Sequence, residues 1–236
     1  MNRLFASVVA LTLTAAPALA GSVADFEAAH AATHASYRTA LFATGSGDAA
    51  RAGVAMEELD NGWAGLMSQY RSSPPPQYED DPLWGQTLTE VTDILDQATA
   101  DVSAGDLEAA HLTLEGVRDA LGALHARNNI ETFSDRMNAY HAEMEAVLDI
   151  DLSELDAATR QRLLEHSAVL AYLARDVLAA PPAAAEGNAQ YAQLAAAMQA
   201  SVDQFVAAAR AGDDDALRAA IAGLKVPYSR LFVNFG

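Results

Sequence analysis

The strongest constraint on the fold is that the chain repeats itself in register 107 residues later, so that Pro74 and Pro75 return as Pro181 and Pro182. The triplet AGD at 104–106 returns at 211–213. Other positions return in the same register: Phe26 as Phe133, His34 as His141, Leu41 as Leu148, Leu66 as Leu173, Leu124 as Leu231 and, conservatively changed, Trp84 as Tyr191. A register kept without gaps through both turns and core positions predicts one structural unit used twice in tandem.

Within each unit, apolar residues recur at steps of three and four, as at Leu88, Val91 and Leu95. This period predicts amphipathic α-helices. Clusters of Gly, Pro, Asn and Asp interrupt it at TGSGD, SSPPPQYEDDP, SAGD and NN, and later at LDIDLS, APPAAAEG and RAGDD. We therefore predict eight helical segments and no strand. Short turns make neighbouring helices antiparallel, so the predicted fold is all-α: two tandem up-down-up-down four-helix bundles over 21–128 and 129–236.

The first twenty residues, MNRLFASVVALTLTAAPALA, have the pattern of a secretory signal peptide. A short region with Arg3 precedes an apolar run from Leu4 to Ala16, and small residues stand at Ala18 and Ala20. We predict cleavage after Ala20 and a periplasmic location. No later stretch is long and apolar enough to cross a bilayer, so no membrane span is expected once the leader is removed.

The composition excludes several classes of function. The chain carries 32 Asp and Glu against 14 Lys and Arg, a formal net charge of −18 that becomes −19 when Arg3 leaves with the leader. A surface this acidic repels nucleic acid, so we expect no nucleic-acid partner. The absence of cysteine excludes disulfides, thiolate metal ligands and covalently attached c-type haem. The chain has no nucleophile motif, phosphate-binding loop or zinc-hydrolase signature, so we predict that it is not an enzyme.

Two histidines fall where the predicted topology brings helix ends together. His30 lies early in the first helix, and His125, in the segment LHARNN, lies near the end of the fourth. In an up-down-up-down bundle these helices are antiparallel neighbours, so the two residues are predicted at the same level. They are either ordinary half-buried histidines at helix edges or a pair of ligands.

Three segments of the first unit bear on that choice: ADFEAAH at 24–30, SPPPQYED at 73–80 and AGDLEAAHLTLEGVRDALGALH at 104–125. They resemble the opening, the Pro-containing link and the last hairpin of the cytochrome b562 family, and the resemblance covers most of residues 24–128. It implies a periplasmic four-helix bundle that holds one haem b without covalent links. In that family a Met near the start of helix one and a His near the end of helix four bind the iron. The resemblance places His30 at the Met position and His125 at the axial histidine.

The chain departs from the family pattern at these positions. With His30 in place of Met, the implied site is bis-histidine, which gives a six-coordinate, low-spin iron suited to electron transfer. The turn between helices one and two is longer than in the family, so His34, one turn further on, is an alternative ligand. In the second unit the register gives Met137 and Phe232 instead. Only the first unit is therefore predicted to bind haem b.

The predicted function is a periplasmic haem b protein that transfers electrons to or from a periplasmic redox partner, or buffers haem. Two other functions stay open on the sequence alone. One is a cofactor-free helical module for binding or structure. The other is a periplasmic copper- or iron-binding protein whose ligands come from the following set: Glu27, His30 and His34 with His125 or His111.

Overall fold

The computed structural model describes residues 20–236, with side chains from residue 23 onward. The predicted signal peptide therefore lies outside the described residues, apart from Ala20. The α-helices are α1 (Ala20–Gly45), α2 (Ala49–Tyr70), α3 (Trp84–Ala104), α4 (Leu107–Arg127), α5 (Phe133–Leu148), α6 (Ala157–Ala179), α7 (Ala189–Ala211), α8 (Asp214–Ala222) and α9 (Lys225–Phe235). Short 3-10 helices, Pro76–Tyr78 and Ala183–Ala185, lie in the links that precede α3 and α7.

The all-α prediction is confirmed, since residues 20–236 contain helices, turns and links but no strand. Within the same range, no helix combines the length and the apolar character that a membrane crossing requires. The element bounds also repeat as the sequence does. The 3-10 helix Pro76–Tyr78 returns 107 residues later at Ala183–Ala185.

The triplet AGD ends one helix and starts the next in both halves. Gly105 ends α3 and Gly212 ends α7, with left-handed φ angles of 81° and 70° that glycine adopts without strain. Asp106 and Asp213 follow them, and their carboxylates accept hydrogen bonds from the first backbone N–H groups of α4 and α8. Local residue chemistry thus fixes both of these turns.

The last predicted helical segment is present but divided. α8 ends at Ala222 and α9 begins at Lys225, whereas the corresponding helix of the first half, α4, runs without a break. Pro227 supplies the physical reason. It has no N–H to donate, and its ring crowds the carbonyl of Gly223, four residues earlier.

The helix contacts form a closed ring in the first half. α1 packs against α2 and α4, and α3 packs against the same two helices. In the second half α5 packs against α6, α6 against α7, and α7 against α8 and α9, while α9 also contacts α5. The halves meet where α1 packs against α9. There Arg38 donates hydrogen bonds to the carbonyls of Val233 and Gly236, and its charge complements the partial negative charge of a helix C-terminus.

Aromatic side chains close the end of the first half beside α1 and α4. Tyr78 stacks on Trp84 with ring centres 5.1 Å apart, and the indole N–H of Trp84 donates to the carbonyl of Tyr70 at 2.9 Å. Phe26 packs edge-on against Tyr70 at 5.0 Å. We call these packed rings the aromatic wall, and within it the buried indole donor of Trp84 is satisfied.

We expect Gly105→Ala to lower the free energy of unfolding by about 1–2 kcal/mol, because a Cβ is disfavoured in the left-handed conformation. The matched control is Gly53→Ala, in the second turn of α2, where an added Cβ meets nothing within 4 Å. That change should instead raise the free energy of unfolding, by up to about 1 kcal/mol. Urea unfolding followed by circular dichroism measures both, and effects of the same sign would contradict the assignment of the turn.

Candidate functional site

One face of α1 carries a row of aromatic rings. Phe26, His30 and His34 are spaced by four residues, which places them one above another on a helix. The ring centres lie 5.7 Å apart for Phe26 and His30 and 5.8 Å apart for His30 and His34, and both pairs are nearly parallel. Both histidines are half-buried. α1 thus presents two imidazoles next to a buried phenylalanine.

His125 lies in the last turn of α4, and only 6% of it is exposed. Its ring is nearly parallel to that of Tyr78, with centres 6.5 Å apart. It meets the ring of His30 nearly at right angles, with centres 6.4 Å apart and an interplanar angle of 79°. The structure therefore brings together the two histidines that the sequence places at one level.

His34, the alternative ligand, is engaged elsewhere. Arg38 Nη1 lies 3.1 Å from His34 Nδ1, and a guanidinium only donates, so Nδ1 is the acceptor. A neutral imidazole that accepts at Nδ1 carries its proton on Nε2, which removes Nε2 as a metal ligand. Among residues 23–236, no protein group hydrogen-bonds the ring of His30. Of the two histidines on α1, His30 is therefore the better-placed ligand.

A carboxylate from α5 holds His125. Asp135 Oδ1 and Oδ2 lie 3.0 and 2.9 Å from His125 Nδ1. Burial raises the pKa of Asp135, but hydrogen bonds from His125 and Thr132 outweigh it and bring the pKa below its usual value. The carboxylate is therefore ionised at neutral pH and only accepts, so Nδ1 donates. In the neutral ring, Nε2 of His125 then keeps its lone pair.

Sequence reasoning missed Asp135. The spacing of Thr132 and Asp135 is that of a capping box at the start of α5, and the structure contains this capping box. That signal is readable from the sequence, but it predicts only a helix start. The contact with His125 comes from the packing of α5 beside the end of α4.

Burial keeps the histidines on α1 uncharged. Burial, followed by the charge of a protonated His125, lowers the pKa of His30 to about 4, while Asp135 acts in the opposite direction. The pKa of His34 is also well below its usual value, through burial first and then through His30 and Arg38. Both rings are neutral at neutral pH. Neutral imidazole is the form that binds a metal ion.

A cavity of about 530 Å³, which we call the histidine cavity, opens beside these rings. Its volume lies in the range of about 300–1,000 Å³ that is typical of ligand pockets. Behind His30 and His125, against the aromatic wall, only about 20 Å³ is free, which is room for about one water. A bound group therefore has room on the cavity side. The lining of the histidine cavity includes His30, His34, His125, Asp135, Arg118 and residues 234–236.

A second buried carboxylate fixes the end of α4. Asp81 accepts hydrogen bonds from Arg127 Nε at 2.9 Å and from Asn128 Nδ2 at 2.9 Å. Arg127 also donates to Thr87 Oγ1 at 2.6 Å. Because Arg127 lies in the same last turn of α4 as His125, and Asn128 follows it directly, these bonds fix the level of the His125 ring.

The other candidate ligands lie apart from this pair. His111 is at the far end of α4, where its Nδ1 is 3.0 Å from the carbonyl of Leu41. In the second half Met137 and Phe232 are both buried, and they provide no imidazole. Among the residues with described side chains, no three His, Asp or Glu side chains come close enough together to hold a metal ion directly. The copper- or iron-binding alternative therefore lacks a ligand set in this part of the chain.

Comparison of the chain with family models, curated proteins and solved structures gave no match. A fold class such as an all-α bundle hosts many unrelated functions, so the function has to be argued from the site. That site is a pair of facing imidazoles, a carboxylate that holds one of them, and the cavity beside them.

We expect the free energy of unfolding to fall as the pH is lowered from about 6.5 to about 4. In this window the unfolded chain protonates His30, whereas the folded protein keeps it neutral, so the unfolded state binds more protons. In the variant His30→Gln the unfolding free energy should fall less steeply with pH. Its slope should be smaller by an amount that corresponds to the uptake of up to one proton on unfolding. Urea unfolding at a series of pH values measures this, and equal slopes for the two proteins would rule out the buried, neutral His30.

Proposed function

We propose that this chain is a periplasmic, cytochrome b562-like protein that binds one haem b without covalent links, for electron transfer or haem buffering. His30 and His125 are the residues that would hold its iron. The observation that carries the proposal is the approach of these two imidazoles at the edge of the histidine cavity. A haem b held by two imidazoles supplies a six-coordinate iron that exchanges one electron.

The separation of the two rings suits an iron between them. Metal–imidazole bonds of about 2 Å on each side would put the two ring nitrogens about 4 Å apart and the ring centres about 6 Å apart. The ring centres of His30 and His125 are 6.4 Å apart. Their interplanar angle of 79° is compatible with this role, because each ring can rotate about its own bond to the metal.

The surroundings of the pair support the same reading. The aromatic wall leaves little free space on the core side of the imidazoles, and the histidine cavity on the other side provides volume for a large group. Arg118 lines this cavity and can meet an anionic substituent of a bound group. In a haem site the cofactor carries the redox chemistry, and the protein binds and orients the cofactor. The residues named here would have that role.

The proposal includes the arrangement of the helices as two tandem four-helix bundles. The closed ring of contacts among α1–α4 supports the first bundle, and the contact of α9 with α5 supports closure of the second. The repeated bounds of the elements support the division near residue 128. The predicted leader supports the periplasmic location.

We expect His125→Ala to weaken haemin binding by more than about 100-fold, because even changes outside the ligands themselves weaken metal sites by about 10–100-fold. His30→Ala should weaken binding and change the Soret band of the complex. His111→Ala is the matched control, since it removes a half-buried histidine from the other end of α4, and it should leave the dissociation constant unchanged. Titration of the purified protein with haemin at the Soret wavelength measures all three.

Normal haemin binding after His125→Ala would end the proposal. Loss of binding with His34→Ala but not with His30→Ala would move the site by one helical turn and contradict the pair named above. A wild-type protein that gives no Soret shift with haemin would favour the cofactor-free helical module, which the closed packing on the core side also suits.

We expect a single haemin to bind per chain. The second half has the buried side chains of Met137 and Phe232 where the first half has His30 and His125, and a phenyl ring offers no lone pair to iron. The end point of the same titration gives the stoichiometry. Two equivalents bound with similar affinity would show that the second half also holds a site.

A further inference from the structure

We infer that the second half of the chain completes the histidine site, with Asp135 on α5 as the residue that positions His125. The inference rests on the proposed function, in that it concerns the same imidazole pair. His30 and His125 both belong to the first half, but both carboxylate oxygens of Asp135 lie within 3.0 Å of His125 Nδ1. The ring orientation of His125 is therefore set by a residue outside the first four helices.

Asp135 is itself rigidly held. Its Oδ2 accepts from the backbone N–H of Thr132 at 2.7 Å and from the Thr132 hydroxyl at 2.6 Å. The link between α4 and α5 is short, and the N–H of Ile130 donates to the carbonyl of His125 at 2.9 Å. Asn129 in this link adopts a left-handed φ of 55°, a conformation that asparagine tolerates better than most residues. The carboxylate and the imidazole are thus joined through a fixed turn as well as through the hydrogen bond.

This contact matters chemically because a histidine can offer only one nitrogen to a metal. When Asp135 accepts from Nδ1–H, the proton of the neutral ring is kept on Nδ1, and the lone pair of Nε2 is free for a ligand bond. The negative charge of Asp135 also makes the imidazole a stronger electron donor. A bound ferric ion is stabilised more by this effect than a ferrous ion is, so the reduction potential should be lower with Asp135 than without its charge.

A capping role alone does not account for the contact. Asp135 is the third residue of α5, and its bonds to Thr132 would cap that helix whether or not a histidine were near. Ala28 occupies the corresponding position in the first half, so the repeated fold does not require a carboxylate there. The two roles are separable, since only the positioning role changes the tautomer of His125.

The first test is haemin titration of the full chain carrying Asp135→Ala. We expect the dissociation constant to rise about 10–100-fold, as for the loss of a carboxylate that orients a ligating histidine. In Asp135→Asn, which keeps an acceptor but loses the charge, the reduction potential of the haem complex should rise. The matched control is Asp156→Ala, which removes the capping carboxylate of α6 that accepts from Thr159 N–H at 2.7 Å. It should alter stability but neither the dissociation constant nor the potential.

The second test does not depend on haem. In the haem-free protein, ¹⁵N chemical shifts and long-range ¹H–¹⁵N couplings report which nitrogen of His125 carries the proton. We expect the Nδ1–H form in the wild type and in Asp156→Ala, and a shift toward the Nε2–H form in Asp135→Ala. Unchanged haemin binding in Asp135→Ala, or the same tautomer in all three proteins, would overturn the inference. If haemin does not bind the wild type while the tautomer responds to Asp135, the haem proposal fails and the positioning role stands.

Discussion

The free-energy cost of burying a charge governs the centre of this molecule. His30 and His34 remain neutral because burial lowers the pKa of each ring, and because the charge of His125 beside His30 and of Arg38 beside His34 acts in the same direction. The nearby carboxylates Asp81 and Asp135 behave in the opposite way. Burial raises the pKa of each, but several hydrogen bonds outweigh burial and keep each below its usual value. Two neutral imidazoles on α1 thus lie near ionised carboxylates that are held by hydrogen bonds.

These two carboxylates reach the end of α4 from different parts of the chain. Asp81 comes from the link before α3 and binds Arg127 and Asn128, while Asp135 comes from α5 and binds His125. Because a partner removed from a buried pair leaves an uncompensated charge, such contacts tolerate little displacement. They hold the last turn of α4 from two sides. This explains how a residue near a helix end, where fraying is common, can keep a defined orientation.

The second half has a different set of side chains at the corresponding positions. Its interior contains a stack of rings in which Tyr228 lies 5.6 Å from Tyr140 and 5.8 Å from Phe232, centre to centre. His141, the counterpart of His34, packs on Tyr228 at 5.2 Å, and its Nδ1 lies 2.7 Å from Arg118. These stacked rings fill the space and contribute burial energy, and the position that corresponds to His125 is occupied by Phe232. The second half therefore has packed rings where the first half has the pair His30 and His125.

The sequence by itself determined the helices, the turns at AGD and the level at which His30 and His125 meet. These follow from local rules, since glycine allows a left-handed helix end, aspartate caps the next helix, and short turns make neighbours antiparallel. It also contained Pro227, but whether a proline bends a helix or divides it depends on what packs around it. Only the tertiary structure decided three hydrogen bonds: His125 to Asp135, Arg127 to Asp81, and Arg38 to His34. Each of these contacts joins residues on different elements or selects one partner among several, and a charged side chain chooses its partner by proximity and burial after the helices have packed.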